Sequence, residues 1–108
     1  MIQQQPVIVA ALSTTSEPII LPPGAKVVRV KSPVMGVATS FGINGSLDDV
    51  TYDTLYQGST NSSLSFTVGG TARSINIPPE YTAGLKRVQI KTNGAETTDK
   101  TFIVVYEW

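Results

Sequence analysis

"GVATSFGINGSLDDVTYDTLY", residues 36–56, holds two alternating runs on either side of an acidic, turn-forming stretch. In "GVATSFGI" (36–43), Val37, Thr39, Phe41 and Ile43 share one face, with Ala38, Ser40 and Gly42 on the other. In "VTYDTLY" (50–56), Val50, Tyr52, Thr54 and Tyr56 fall together. A period of two marks half-buried β-strands, so the pair predicts two strands joined by a turn. Between them, Asn44-Gly45 and Asp48-Asp49 are turn formers, Asn-Gly through its tolerance of positive φ.

The acidic stretch invites two chemical readings. A calcium loop of the EF-hand type needs Gly at its sixth position and Glu at its twelfth. Counting from Asp49, the third and fifth positions are Thr51 and Asp53, but the sixth is Thr54 and the twelfth Thr60. Counting from Asn44, the twelfth is Leu55. A carboxylate pair for glycoside hydrolysis would use Asp48 and Asp53 and would need a substrate cleft. A chain of 108 residues leaves little room for one. Hairpin chemistry is the better account of the stretch.

The rest of the chain repeats the pattern. "PVIVAAL" (6–12) is apolar throughout, and "EPIIL" (17–21) follows a Ser/Thr break. "AKVVRVKS" (25–32) is read with Val28 and Val30 facing one way and Lys26 the other. "SLSFTV" (63–68) sets Leu64, Phe66 and Val68 against Ser63, Ser65 and Thr67. "ARSINI" (72–77) aligns Ile75 with Ile77, and "LKRVQIKT" (85–92) aligns Val88 with Ile90. "KTFIVVYEW" (100–108) aligns Phe102, Val104 and Tyr106. Ser and Thr make up about a fifth of the chain, and helix formers are scarce. "IPPEYTAGL" (77–85) admits one helical turn that Gly84 can end. Eight or nine short strands at roughly 8–12-residue spacing predict an all-β, jelly-roll-like antiparallel sandwich.

Composition removes whole classes of chemistry. The chain has no Cys and no His, so thiolate sites, Cys nucleophiles and a Ser-His-Asp triad are impossible. An enzyme is not expected, nor is a cofactor or metal. Eight basic and eight acidic residues cancel, and charged residues are only 15%. That permits self-association. It argues against nucleic acid, since Lys86, Arg87 and Lys91 form no clustered face. No apolar run approaches the roughly 20 residues of a membrane helix, and "MIQQQP" lacks the basic start of a secretory leader. Two N-x-S/T sequons, at 44–46 and 61–63, are unremarkable in so Ser/Thr-rich a chain.

Residues 1–16 stand apart from the sandwich expected over 17–108. They are either a first strand or an arm that adds to a neighbouring subunit's sheet. Surface aromatics such as Tyr56, Tyr81 or Trp108 could instead stack on sugars, while Tyr52 and Tyr106 are expected to be core or half-buried.

One longer pattern is more specific. The order "VVRVKSPVMGVATSFGINGSLDDVTYDTLYQ", then "INIPPEYTAGLKRVQIKTNG", then "TFIVVYEW" resembles small structural proteins of tailed bacteriophages. Those carry "S-x-D-G-x-T-Y/F-x-x-L-Y" at a hairpin, then a "laGl-r-v-r-i-r-sG" segment and a final hydrophobic strand. The matching residues here are Phe41, Ser46, Asp48, Val50, Thr51, Tyr52, Leu55 and Tyr56, then Ala83, Gly84, Leu85, Lys86, Val88, Ile90 and Lys91. The usual Gly after the Asp is Asp49 in this chain. A similar "S-x-D-G-x-x-W/Y" phrase occurs in discoidin-like carbohydrate-binding jelly rolls.

The phage resemblance implies a non-enzymatic virion protein, made in the host bacterial cytoplasm. The residues favour a capsid decoration (cement) protein over a tail or baseplate accessory. Its implied partners are the major capsid protein and further copies of itself, with a homotrimer expected from common capsid symmetry. Contact residues are expected in the N-terminal segment (Ile2, Val7, Ile8, Val9), in the loops around Asp48–Asp49 and Asn93–Glu96, and at Trp108.

Overall fold

The computed structural model describes residues 1–56 and 62–108. Thr60 and Asn61, named above, lie outside the described residues. Among the described residues, nine strands form two antiparallel sheets. In chain order they are β1 (Ile2–Val9), β2 (Ile19–Ile20), β3 (Lys26–Ser32), β4 (Ser40–Ser46), β5 (Asp53–Thr54), β6 (Phe66–Thr67), β7 (Arg73–Asn76), β8 (Arg87–Thr92) and β9 (Lys100–Glu107). One sheet has the order β1-β9-β3-β7. The other has the order β2-β8-β4-β5, with β6 also paired to β4. Sheet membership changes at most connections, so successive strands rarely pair with each other. The hairpin expected across residues 43–50 does form. β4 pairs with β5 through Asn44↔Thr54 and Gly45↔Asp53.

Alternation builds the core because each sheet turns its apolar face to the other. Val7, Val9, Val27, Val30, Phe102, Val104 and Tyr106 come from the first sheet. Ile19, Phe41, Ile43, Val88 and Ile90 come from the second. The alternation read in 63–68, 72–77, 85–92 and 100–108 matches the observed burial. Four readings need correction, the fourth being the facing of Val28 in β3, which a bulge resets. Val37 is exposed and Ala38 buried, because the chain enters β4 only at Ser40. Val50 and Tyr56 are exposed, because β5 spans only two residues. Asn44-Gly45 is not a turn but lies within β4, near its end. A Cβ on Gly45 would lie 2.5 Å from Leu85 Cδ1, so Gly45 gives the Leu85 side chain room to pack on β4.

β3 carries a register shift against β9 between Val27 and Arg29. This bulge explains why Val27 and Val30 both face the core while Val28 is only half-buried and Lys26 and Arg29 point out. The Val27 N–H points away from β9, past the end of β7, and donates to Thr82 Oγ1 at 2.8 Å. Thr82 is fully buried and follows the 3-10 turn, Pro79–Tyr81, expected in "IPPEYTAGL". Gly84, at φ +85°, then reverses the chain toward β8. Thr82→Val is expected to lower stability by about 1–3 kcal/mol, since it leaves a buried N–H without an acceptor. Chemical denaturation checks this, and a loss under roughly 0.5 kcal/mol would contradict it.

Among the described residues, no helix is long and apolar enough to cross a membrane.

Candidate functional site

The acidic stretch folds into a turn held by its own Asp48 and tied to β8 through Asp49. Asp48 Oδ1 accepts hydrogen bonds from the Thr51 N–H (2.7 Å), the Val50 N–H (2.9 Å) and Ser46 Oγ (3.2 Å). The Thr51 amide, then that of Val50, holds the Asp48 carboxyl down at about 2, against an ordinary 3.8. Asp49 adopts φ 68°. It occupies the position where the resembled pattern carries Gly, so the left-handed geometry is kept by a residue that tolerates it. Its carboxylate meets Arg87 Nε at 3.2 Å. Both acids are thereby engaged in shaping the turn. Among the described residues, no group of three or more His, Cys, Asp or Glu stands together.

The loop around Asn93–Glu96 is a clamp. Glu96 is buried, and its carboxylate accepts the N–H groups of Gly36 (2.7 Å), Val37 (2.7 Å) and Ala38 (2.6 Å). These bonds lower its pKa, the Ala38 amide most strongly. Asn93 Oδ1 takes the Thr39 and Ser40 N–H groups, and its Nδ2 donates to Thr39 Oγ1. The Leu12 N–H donates to the Glu96 carbonyl. One short loop thus ties the chain reversal after β1 to the segment that feeds β4. Expecting Glu96 on a contact surface was wrong for its side chain, which is turned inward onto three amides. A lone Glu between Ala95 and Thr97 carries no sequence signal of such a role.

The other expected contact residues divide by strand parity. Val7 and Val9 are core residues, so their side chains offer nothing to a partner. Ile2 (65% exposed) and Ile8 (44%) point outward. Trp108 stacks on Tyr106 at 5.7 Å and stays 42% exposed. Tyr106 is buried and Tyr52 half-buried, as expected. Tyr81 is half-buried and Tyr56 exposed. The sequon at Asn44 lies in β4, with Gly45 and Ser46 buried.

Two features escaped the sequence reading. The outer face of the first sheet carries a stripe of mixed apolar and polar residues, with Pro6 opposite Ile103 and Gln4 opposite Val105, flanked by Ile2 opposite Glu107 and Ile8 opposite Thr101. It could have been found by pairing "IQQQPVIV" against "KTFIVVYE", but no local signal names those strands as partners. The second feature is a groove of about 410 Å³ lined by Ile20, Leu21, Pro23, Asp49, Leu85 and Lys86.

No protein-family model matches this chain, and no curated protein matches it. Among solved structures it is similar to the SPBc2 prophage-derived protein YomS, at 10% identity and a TM-score of 0.52. That likeness covers 99% of this chain and 96% of YomS. A second similarity is to the cyanophage Pam1 capsid asymmetric unit, at 18% identity and a TM-score of 0.38, covering 98% of this chain and 82% of that one. The first is a likeness of fold over the full length. The second is too loose to carry an argument.

Proposed function

We propose that this chain is a structural protein of a bacteriophage virion that acts by binding, as a capsid decoration (cement) protein. The observation that carries the reading is the end-to-end likeness of fold to a prophage-derived protein. The sequence pattern of phage structural proteins at Ser46–Tyr56 and Ala83–Lys91 points the same way. We read the order β1-β9-β3-β7 facing β2-β8-β4-β5 as a jelly roll, with β6 an added strand.

The surface chemistry suits binding. The net charge is zero, and the acids of the two loops are spent on backbone amides or on Arg87. The available contact surface is Ile2, Ile8 and the stripe beside them, with the Asp48–Asp49 turn at another edge. A cement protein buries such surface across capsomer junctions, and expansion of the shell must first break those contacts. Each contact can be weak because a symmetric shell repeats it many times. The carbohydrate-binding alternative has less support. Of its three aromatics, Trp108 is stacked on Tyr106 and Tyr81 is half-buried.

Localisation in purified virions tests the proposal. A reconstruction of the particle by electron cryomicroscopy should show this chain on the outer head surface, bridging copies of the major capsid protein. Density on the tail or baseplate, or absence from particles, would overturn the cement reading.

A further inference from the structure

We infer that the free edge of β1 is a pairing surface for a second copy of this chain, joining two first sheets antiparallel about a two-fold axis at Gln4. The inference deepens the proposed structural role and rests on it for its place in a particle.

The argument starts with where the β1 backbone groups point. The Met1 ammonium donates to the Trp108 carbonyl, and the Trp108 N–H returns a bond to the Met1 carbonyl. In an antiparallel ladder such doubly bonded pairs alternate with unbonded ones. The β1–β9 register runs without a shift from Ile2↔Glu107 to Val9↔Lys100. Gln3, Gln5, Val7 and Val9 therefore bond to β9. The N–H and C=O groups of Ile2, Gln4 and Ile8 point to the outer edge. Pro6 also sits at an outward position, so its missing N–H costs the β1–β9 ladder nothing. Val9 forms a bridge to Ser16 where the chain turns back, which covers the far end of the edge. From Ile2 to Pro6, no strand lies on the outer side among the described residues.

The occupant follows from chemistry. Natural edge strands are kept apart by charge, by proline, by short length or by bulges, and of these β1 carries only Pro6, which leaves the N-terminal half of the edge with its donors. β1 has eight residues, "IQQQPVIV", and no charged side chain. The opposite edge of the same sheet, β7, has four residues and begins with Arg73. Edges of the second sheet are two residues long. Two β1 edges can meet without repulsion, and their donors and acceptors are self-complementary. With Gln4 opposite Gln4 of the second copy, the two Gln4 residues exchange a pair of N–H···O=C bonds. Each Ile2 N–H then reaches the carbonyl of the second copy's Pro6. That register uses both outward donors between Ile2 and Pro6, and it asks Pro6 only to accept. Gln3 falls beside Gln5 of the second copy. Tyr106 OH already donates to Gln5 Oε1, leaving the Gln5 amide NH2 to donate across the axis. A three-fold ring would instead need β1 to meet a different edge, and β7 is short and charged.

The test is the oligomeric state of the full chain in solution, by sedimentation velocity over a concentration series. The parent is expected to sediment as a dimer. Gln4→Pro removes the outward donor but none of the β1–β9 bonds. Gln4→Lys places two like charges face to face on the axis. Each is expected to weaken dimerisation by roughly tenfold or more while leaving the β-sheet circular dichroism unchanged. Should Gln4→Pro fail to fold, Gln4→Lys decides. Hydrogen exchange should show the Ile2 and Gln4 amides gaining protection as concentration rises. A parent that is monomeric or trimeric throughout, or a dimer that both variants leave intact, overturns the inference. These measurements need no particle, so their failure and a failure to find the chain on heads are separate results.

Discussion

Phe41→Ala is expected to remove about 3–5 kcal/mol of folding stability. That is a large share of the roughly 5–15 kcal/mol that holds a domain of this size together. Phe41 lies on β4 of the second sheet and is fully buried. Its ring packs on Phe66 at 5.3 Å within its own sheet, and on Phe102 of β9 at 5.5 Å, edge to face, across the sandwich. Loss of the ring opens a cavity where the two sheets are joined, and the β backbones on either side cannot collapse to fill it. Urea unfolding at neutral pH measures the effect. Phe66→Ala should cost less, because Phe66 is only half-buried. A Phe41→Ala loss below about 1 kcal/mol would mean that this aromatic trio does not hold the sheets together.

Glu96 is the second strong test, through both its acceptor oxygens and its charge. Glu96→Ala leaves the amides of Gly36, Val37 and Ala38 without their acceptor and frees the loop that leads into β4. The melting temperature is expected to fall by roughly 5–10 °C. Glu96→Gln keeps one acceptor oxygen and the side-chain volume, so its fall should be smaller. A pH dependence follows from the lowered pKa. A carboxyl held below its ordinary value binds protons less readily in the folded chain than in the unfolded one. Its stabilisation is therefore complete above the ordinary value, 4.5 for Glu96, and is lost as pH falls through the lowered folded value. Asp48 adds a second loss with the same sign, between its ordinary 3.8 and about 2. Thermal melts from neutral pH into the acid range should show the parent losing more stability than Glu96→Gln. Parallel curves for the two would remove Glu96 from the account of acid sensitivity.

Where period-two alternation was long and uninterrupted, it placed side chains correctly. Phe102, Val104 and Tyr106 in β9, and Val88 and Ile90 in β8, are buried together as read. The turn at Asp48–Asp49 was also legible, because Asp accepts hydrogen bonds from amides two and three residues on. Alternation failed where a strand was interrupted. The bulge at Val28 shifted the parity of β3, and the late start of β4 put Ala38 inside and Val37 outside. Asn44-Gly45 misled because Gly serves two needs, positive φ and close approach, and a local pattern cannot tell them apart. Of the expected contact residues, Ile2, Ile8, Asp48, Asp49, Asn93 and Trp108 are exposed, while Val7, Val9 and Glu96 are turned inward.

By itself the sequence determined that this chain is all-β, and which side chains in its uninterrupted strands face the core. It also excluded any chemistry that needs Cys or His. These follow from composition and a two-residue period, which are properties of neighbours along the chain. Only the tertiary structure decided that β1 pairs with β9 and leaves an uncharged edge, that Thr82 satisfies Val27, and that Glu96 caps three amides 58 to 60 residues away. Backbone donors and acceptors are alike at every residue, so which ones meet is set by the packing of two sheets.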